Sequence, residues 1–220
     1  MSLTGKNRAI YSYNNKDEKG KSFVYKDFEK SNSYHSNFSG TRFIGTSLRA
    51  SKMKYCDFSK CVFDGVDFVG TNLKGSNFYR AHFSDCIFVS IVFKKTNFKK
   101  ASFEHCFMLG CKLDTTNGII PTELNGVTVL SSMPLQSDLP MELIDIIQEL
   151  RNNDVIRRSR TLHGKNNRIN TFTVMLLHEH YSYEELMKYL PVIPELVTTQ
   201  FYTVSYLKKL LKKVQSMGTI

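Results

Sequence analysis

The chain has 220 residues, enough for one large or two modest domains with a real core. Its 30 Lys and Arg against 20 Asp and Glu leave a formal charge of +10, which favours anionic partners. No apolar run approaches the roughly 20 residues of a transmembrane segment, and the opening MSLTGKNRAI lacks the apolar stretch of a signal peptide. A soluble cytoplasmic protein is the expectation. Its five cysteines include no C-x-x-C pair and are followed by no His at zinc spacing, so a metal site is not expected. The charge is uneven. Residues 1–137 hold 19 basic and 11 acidic side chains, and residues 138–220 hold 11 and 9.

Residues 1–20 read as an N-terminal extension or cap. From Phe23 an apolar residue recurs at every fifth place: Phe23, Phe28, Phe38, Phe43, Leu48, Met53, Phe58, Phe63 and Phe68, then Leu73, Phe78, Phe83, Phe88, Phe93, Phe98, Phe103, Met108 and Leu113, with Ser33 the one polar member. Helices want a period of three to four and strands a period of two, so five fits neither. Two residues before each centre lies a second register of small or β-branched side chains, which holds all five cysteines (Cys56, Cys61, Cys86, Cys106, Cys111). The residue between the registers is often Asp or Asn, as at Asp27, Asn37, Asp57, Asn77 and Asn97. Two inward residues flanking an outward one is strand geometry. The remaining two residues of each unit, often Gly (Gly40, Gly45, Gly65, Gly70, Gly75, Gly110), must turn a corner.

This pattern resembles the pentapeptide-repeat family over about residues 21–115, within a repeat domain expected over 21–117. The resemblance implies a mainly β fold, a right-handed quadrilateral β-helix with four units per coil. Period five alone does not give the number four. Nineteen units then make nearly five coils, roughly 23 Å of stack at strand spacing. The bulky centres are core, and the cysteines are expected as buried thiols. Cys86 and Cys106 fall one coil apart, a spacing that permits a disulfide, although cytosolic thiols stay reduced.

Stacking by 20 sorts the outward residues into columns on four faces. Face 1 (Phe63, Phe83, Phe103) is mildly acidic through Asp64, Asp85 and Glu104. Face 2 (Phe68, Phe88, Met108) turns Val69, Ile87, Val89, Phe107 and Leu109 outward, an apolar docking face for the chain's own helices or for a second copy in a homodimer. Face 3 (Met53, Leu73, Phe93) carries Lys54, Lys74 and Lys94 in one column with Lys52, Lys95 and Lys112 beside it. Face 4 (Phe58, Phe78, Phe98) carries Lys60, Arg80 and Lys100, with Tyr79 and Lys99 adjacent. Like charges in register repel, so the two ladders are candidate anion-binding residues. No aromatic run interleaves with these lysines along the chain, and no base-stacking platform is expected.

Phase is lost after Leu113, and residues 118–137 read as the end of the last coil and a linker. From residue 138 the period becomes helical, so 138–220 is an α-helical domain outside the repeat resemblance. Asp138 is the expected cap of its first helix, whose face is Leu139, Leu143, Ile146, Ile147 and Leu150. A second helix is expected over 171–180, and a third opens at the Ser182–Glu185 capping box. A last one runs from Pro194 to Gly218, with Leu196, Phe201, Val204, Leu207 and Leu211 as its apolar stripe. His178 and His180 are two apart and cannot share a helical face. The stretch RRSRTLHGKNNR reads as a basic loop, in which Arg157 and Arg158 are further candidate anion ligands alongside Arg160, His163, Lys165 and Arg168. Lys208, Lys209, Lys212 and Lys213 near the C-terminus complement a helix dipole.

No nucleophile–base pair or phosphate-binding glycine loop is evident, so neither an enzyme nor a cofactor is expected. The leading reading is a solenoid scaffold for protein–protein interaction. The alternative is binding of nucleic acid or another polyanion through the lysine ladders. Some pentapeptide-repeat proteins imitate DNA with an acidic rod and occupy type II topoisomerases; this chain is basic where those are acidic and adds a helical domain, which argues against such mimicry.

Overall fold

An inward residue at every fifth place leaves no room for a strand longer than three or four residues, and the computed structural model shows short strands joined by regular corners. It describes residues 11–113, 116–118, 125–164, 166 and 168–218. The chain divides into two compact units, Met1–Ser132 and Met133–Ile220.

In the first unit, β1 (Ser22–Val24), β3 (Arg42–Ile44), β5 (Val62–Asp64), β7 (His82–Ser84) and β9 (Ser102–Glu104) form one parallel sheet on face 1. Each residue pairs with the one 20 places on, as Phe23 with Phe43 and Phe63 with Phe83. That register supplies four units per coil. Face 2 is built from β6 (Asp67–Val69), β8 (Ile87–Val89), β10 (Cys106–Leu109) and β11 (Val127–Leu130), and face 3 from β2 (Asn32–Tyr34) and β4 (Lys52–Lys54). Face 4 is held by single bridges, Asn37 to Asp57, Asp57 to Asn77 and Asn77 to Asn97. The result is the quadrilateral β-helix expected.

The bore is filled by stacked rings. Phe38, Phe58, Phe78 and Phe98 stack at 5.0 Å with planes within 9° of parallel, and Phe43, Phe63, Phe83 and Phe103 do so at 4.9–5.0 Å. Neighbouring columns meet edge to face or tilted, the arrangement aromatic quadrupoles prefer. The second register does more than leave space for them. Thr46, Thr71, Ser76 and Thr96 donate their hydroxyls to the carbonyls of Phe23, Leu48, Met53 and Leu73, each 23 residues back, at 2.6–3.1 Å. The Cys61, Cys86, Cys106 and Cys111 thiols reach the equivalent carbonyls of Phe38, Phe63, Phe83 and Phe88. Buried carbonyls are satisfied by donors. Ser, Thr and Cys here supply one between coils, which is a second one where the corner amide already bonds the same carbonyl, as that of Ser51 does Leu48 at 3.1 Å.

Every fifth residue from Asn15 to Gly110 is a corner with φ between +49° and +69°. Two corner forms occur. In the tight form the centre's carbonyl accepts from the amide three residues on, as Phe28 from Ser31 and Phe38 from Thr41 (both 3.0 Å). There the preceding Asp or Asn accepts from the backbone two residues on, at 2.9–3.0 Å for Asp27, Asn37 and Asp57. This is the Asx turn, and it explains the Asp/Asn positions. On face 4 those side chains also bond between coils: Asn97 Nδ2 donates to Asn77 Oδ1 (2.8 Å), and Asn77 Nδ2 to Asp57 Oδ1 (3.0 Å).

Both ends of the repeat differ from expectation. Residues 11–20 already follow the coil, with bridges from Asn14 to Tyr34 and Asp17 to Asn37 and corners at Asn15 and Gly20. The repeat geometry therefore begins before residue 21, while residues 1–10 lie outside the described part. Tyr13 and Glu18 occupy the centre positions there; Glu18 pairs with Lys21 at 2.8 Å, and Tyr11 stacks on Phe28 at 4.6 Å. Ser33, the polar exception, accepts from the Tyr13 amide at 3.1 Å. At the other end β11 pairs with β10 one residue out of phase, Cys106 with Val127 and Phe107 with Thr128. Gly126 leads into it, and a Cβ there would lie 2.1 Å from the Phe103 carbonyl oxygen.

The second unit comprises α1 (Met141–Glu149), α2 (Asp154–Ser159), α3 (Thr171–His178), α4 (Tyr183–Tyr189), α5 (Ile193–Leu196) and α6 (Val204–Met217). The Ser182–Glu185 capping box forms as expected. Asp138 does not cap α1: its carboxylate accepts from the Leu135 amide within a preceding 3-10 turn, and Pro140 flanks the helix. The long helix from Pro194 is broken. α5 stops at Leu196, and α6 starts only after Thr203. β-branched Val197, Thr198 and Thr199 favour extended backbone, and that segment lets Phe201 bury completely. Val204, Leu207, Leu210, Leu211 and Val214 form the buried stripe of α6, which packs against α4 and α5.

Candidate functional site

The three-residue strands fix where the cations point, because the residues flanking each inward centre must face outward. On face 3 Lys54 lies directly beside Tyr34 in the β2–β4 pairing, and Lys52 bridges to Asn72. Lys54 and Lys74 are half-buried; Lys52, Lys94 and Lys95 are exposed, as are Lys60, Arg80 and Lys100 on the far side of face 4. Among the described residues none of these cations has a carboxylate within ion-pair distance. Like charges one coil apart repel by some tenths of a kcal/mol per pair, so both ladders carry uncompensated positive potential.

Aromatic rings interleave with them, contrary to the expectation from sequence. The Lys54 ammonium sits 6.0 Å from the centre of the Tyr34 ring, and that of Lys74 5.8 Å from the Tyr55 ring. Arg80 and Lys100 flank Tyr79 at 5.2 and 5.9 Å. His35 stacks on Tyr55 at 5.3 Å and 15°, while Tyr34 meets both edge-on. Tyr34, His35 and Tyr55 are 20 or 21 residues apart or adjacent, so a scan for neighbouring aromatics misses them. Following the columns towards the N-terminus finds them: Tyr34 heads the column of Lys54, Lys74 and Lys94, and Tyr55 and His35 stand in the column of Lys95 beyond Gly75.

The other candidates fare differently. Arg157 and Arg158 belong to α2 rather than to a loop, and both pair with the single carboxylate of Asp154, which offsets part of their charge. His163 is buried and bonds through Nε2 to the Ile147 carbonyl at 2.7 Å; burial pushes its pKa below the usual histidine value. Lys165 lies outside the described residues. His178 contacts the Tyr181 carbonyl and stacks on Tyr183. On face 2, Val69 and Val89 are half-buried, and Ile87, Phe107 and Leu109 are 5, 7 and 6% exposed. On face 1, His82 Nδ1 lies 2.8 Å from Ser102 Oγ and Nε2 3.9 Å from Glu104, an exposed polar cluster on a flat strand surface.

All five cysteines are free thiols. Burial pushes Cys56 up to about 11 and Cys61 up to about 12 and raises Cys86 and Cys111, so these four are donors to carbonyls rather than nucleophiles. The pKa of Cys106 is lowered by its hydrogen bond with Cys86. Among the described residues no group of His, Cys, Asp and Glu forms a metal site, and no helix is long and apolar enough to cross a membrane.

The family model for pentapeptide repeats matches residues 41–79 and 76–114, with eight copies. The solenoid is a pentapeptide-repeat domain. Among solved structures, a pentapeptide-repeat protein of the Arabidopsis thaliana thylakoid lumen is 23% identical, covering 52% of this chain and 82% of that one, with a TM-score of 0.44. HetL, a pentapeptide-repeat protein involved in heterocyst differentiation in Nostoc sp. strain PCC 7120, is 13% identical over 45% of this chain and 41% of its own, with a TM-score of 0.27. QnrB1, a plasmid-mediated fluoroquinolone resistance protein, is 14% identical over 55% of this chain and 91% of its own, with a TM-score of 0.17. Comparison with curated proteins gives no match. In this pentapeptide-repeat domain the ladders occupy faces 3 and 4, where the repeat's outward positions are free to vary without disturbing the bore.

Proposed function

We propose that the protein is a non-catalytic scaffold whose pentapeptide-repeat domain holds a macromolecular partner against its flat faces, and that the bound surface is polyanionic. An extended regular surface suits such binding because one geometry repeats at every coil. The observation that carries the reading is the pair of cation ladders on faces 3 and 4, which meet no carboxylate among the described residues. Imitation of DNA needs the opposite sign of charge on the solenoid and is not part of this proposal. An apolar partner on face 2 has less support, since Ile87, Phe107 and Leu109 already sit at 5–7% exposure.

The test is binding of the full chain to immobilised heparin and to nucleic acid across a salt series. Affinity should fall steeply with salt, and reversing Lys54, Lys74 and Lys94 to Glu should abolish it while the circular dichroism spectrum is kept. Salt-independent binding, or retention by the triple variant, would overturn the reading.

A further inference from the structure

We infer that the edge between faces 3 and 4 is a stacking platform for the unpaired bases of single-stranded nucleic acid. The inference rests on the polyanion reading and narrows it to one class of partner. Its first support is a specific piece of construction. The corner column along this edge runs His35, Tyr55, Gly75, Lys95, and Gly75 is its one glycine. A Cβ added at Gly75 would fall 2.4 Å from Cδ1 and 2.5 Å from Cε1 of Tyr55. The missing side chain is therefore the seat of the Tyr55 ring, which leans along the coil axis over the next coil. Glycine is not needed there for the turn alone, because Ala50 and Ser90 hold the same backbone conformation at φ +54° and +53°.

The second support is what the seated ring organises. Exposed His35 stacks nearly parallel on this half-buried ring, and Tyr34 stands at its edge with 40% of its surface exposed. The Lys74 ammonium lies 5.8 Å from the Tyr55 ring centre and that of Lys54 6.0 Å from the Tyr34 ring centre. Lys94 and Lys95 continue the charge along the axis, and Tyr79 between Arg80 and Lys100 repeats the motif across face 4. Rings that accept a base face, bordered by cations that follow a phosphate backbone, are the two components of sequence-tolerant single-strand binding. A duplex hides its base faces within the stack and can use only the cations. An anionic sulfated polysaccharide has no aromatic bases to stack and is likewise limited to the charges.

The experiment compares the full chain and its variants on three probes: short oligothymidylate, the same length of duplex DNA, and heparin. Wild type should prefer oligothymidylate to the duplex at equal salt. Tyr55→Ala should weaken oligothymidylate binding by roughly 5- to 100-fold and leave heparin binding nearly unchanged. Gly75→Ala should do the same by displacing the ring, with its fold preserved as at Ala50, and should have no further effect in the Tyr55→Ala background. Equal affinity for single strand and duplex, or oligothymidylate binding indifferent to Tyr55→Ala, would overturn the platform while leaving the polyanion reading standing. Failure of all three probes to bind would remove both. Vesicles containing phosphatidylserine form a fourth arm: if Tyr55→Ala weakens vesicle binding as much as oligothymidylate binding, the rings serve a membrane interface and the inference is wrong.

Discussion

Phe78 of the solenoid and Phe201 of the helical unit are both fully buried, yet they are specified in different ways. Phe78 stacks between Phe58 and Phe98 at 5.0 Å on either side, and Phe58 has the same surroundings one coil earlier. Phe201 stacks on Tyr206 at 5.0 Å in a setting that the helical unit builds once. The solenoid thus distributes its stability over many equivalent contacts, and its centres tolerate Leu48, Met53 and Leu73 among the phenylalanines because size and inwardness are all the site demands. The helical unit depends on particular side chains, such as His163 and its single bond to the Ile147 carbonyl. Redundancy resists a change of shape but not a change of polarity.

Five substitutions or conditions sharpen that contrast. Phe83→Asp places a charge between stacked rings with no counter-ion and also removes a core ring, so the solenoid should lose more than about 4 kcal/mol and fail to fold. A soluble, β-rich protein with the wild-type melting temperature would contradict the assigned phase. Thr71→Val keeps the shape, as Val66 does in the same register, and removes one donor from the Leu48 carbonyl, which still accepts from the Ser51 amide and hydroxyl; a loss of only about 0.5–1.5 kcal/mol is expected in chemical denaturation.

Acid should act on the other unit. His163 has a folded pKa below the ordinary histidine value of about 6.5 because burial disfavours its charged form. The unfolded chain therefore binds the proton more readily, and the stability present above pH ~6.5 declines as the pH falls through and below that value. Helical signal should be lost before β signal in an acid titration, and His163→Gln should flatten that decline. The smallest effect belongs to the ladder: Lys74→Ala should shift stability by less than about 0.5 kcal/mol, whatever it does to binding.

The solenoid was legible because its period is written into the chain nineteen times; phase alone assigned the bore and the corners, and the cation columns needed in addition the four units per coil that the family resemblance implied. The hydroxyl and thiol donors of the second register were visible only as small residues, since the carbonyls they satisfy lie 23 positions away. The first coil was missed because Tyr13 and Glu18 occupy centre positions where the pattern calls for a compact apolar residue. Tyr34 and Tyr55 escaped for a different reason: they are neighbours only after the chain has gone once around. In the helical unit, capping chemistry marked α4 correctly through Ser182 and Glu185. Proline at 194 suggested a long helix that three β-branched residues at 197–199 interrupt. There each element is set by tertiary contact, and no period exists to average over a wrong local signal.

The amide chain on face 4 has a direction. An asparagine side chain both donates and accepts, so an unsupported column of amides could order either way. Here each Oδ1 is committed to its own backbone, accepting from the amide two residues on (Tyr79 to Asn77 at 3.2 Å, Lys99 to Asn97 at 3.1 Å), and this leaves Nδ2 to donate towards the preceding coil. The local turns thereby align the dipoles of the row along the coil axis, and Asp57 receives the last donor. Asp57→Asn should keep that order, because the Ser59 amide would hold the new Oδ1 in the same place.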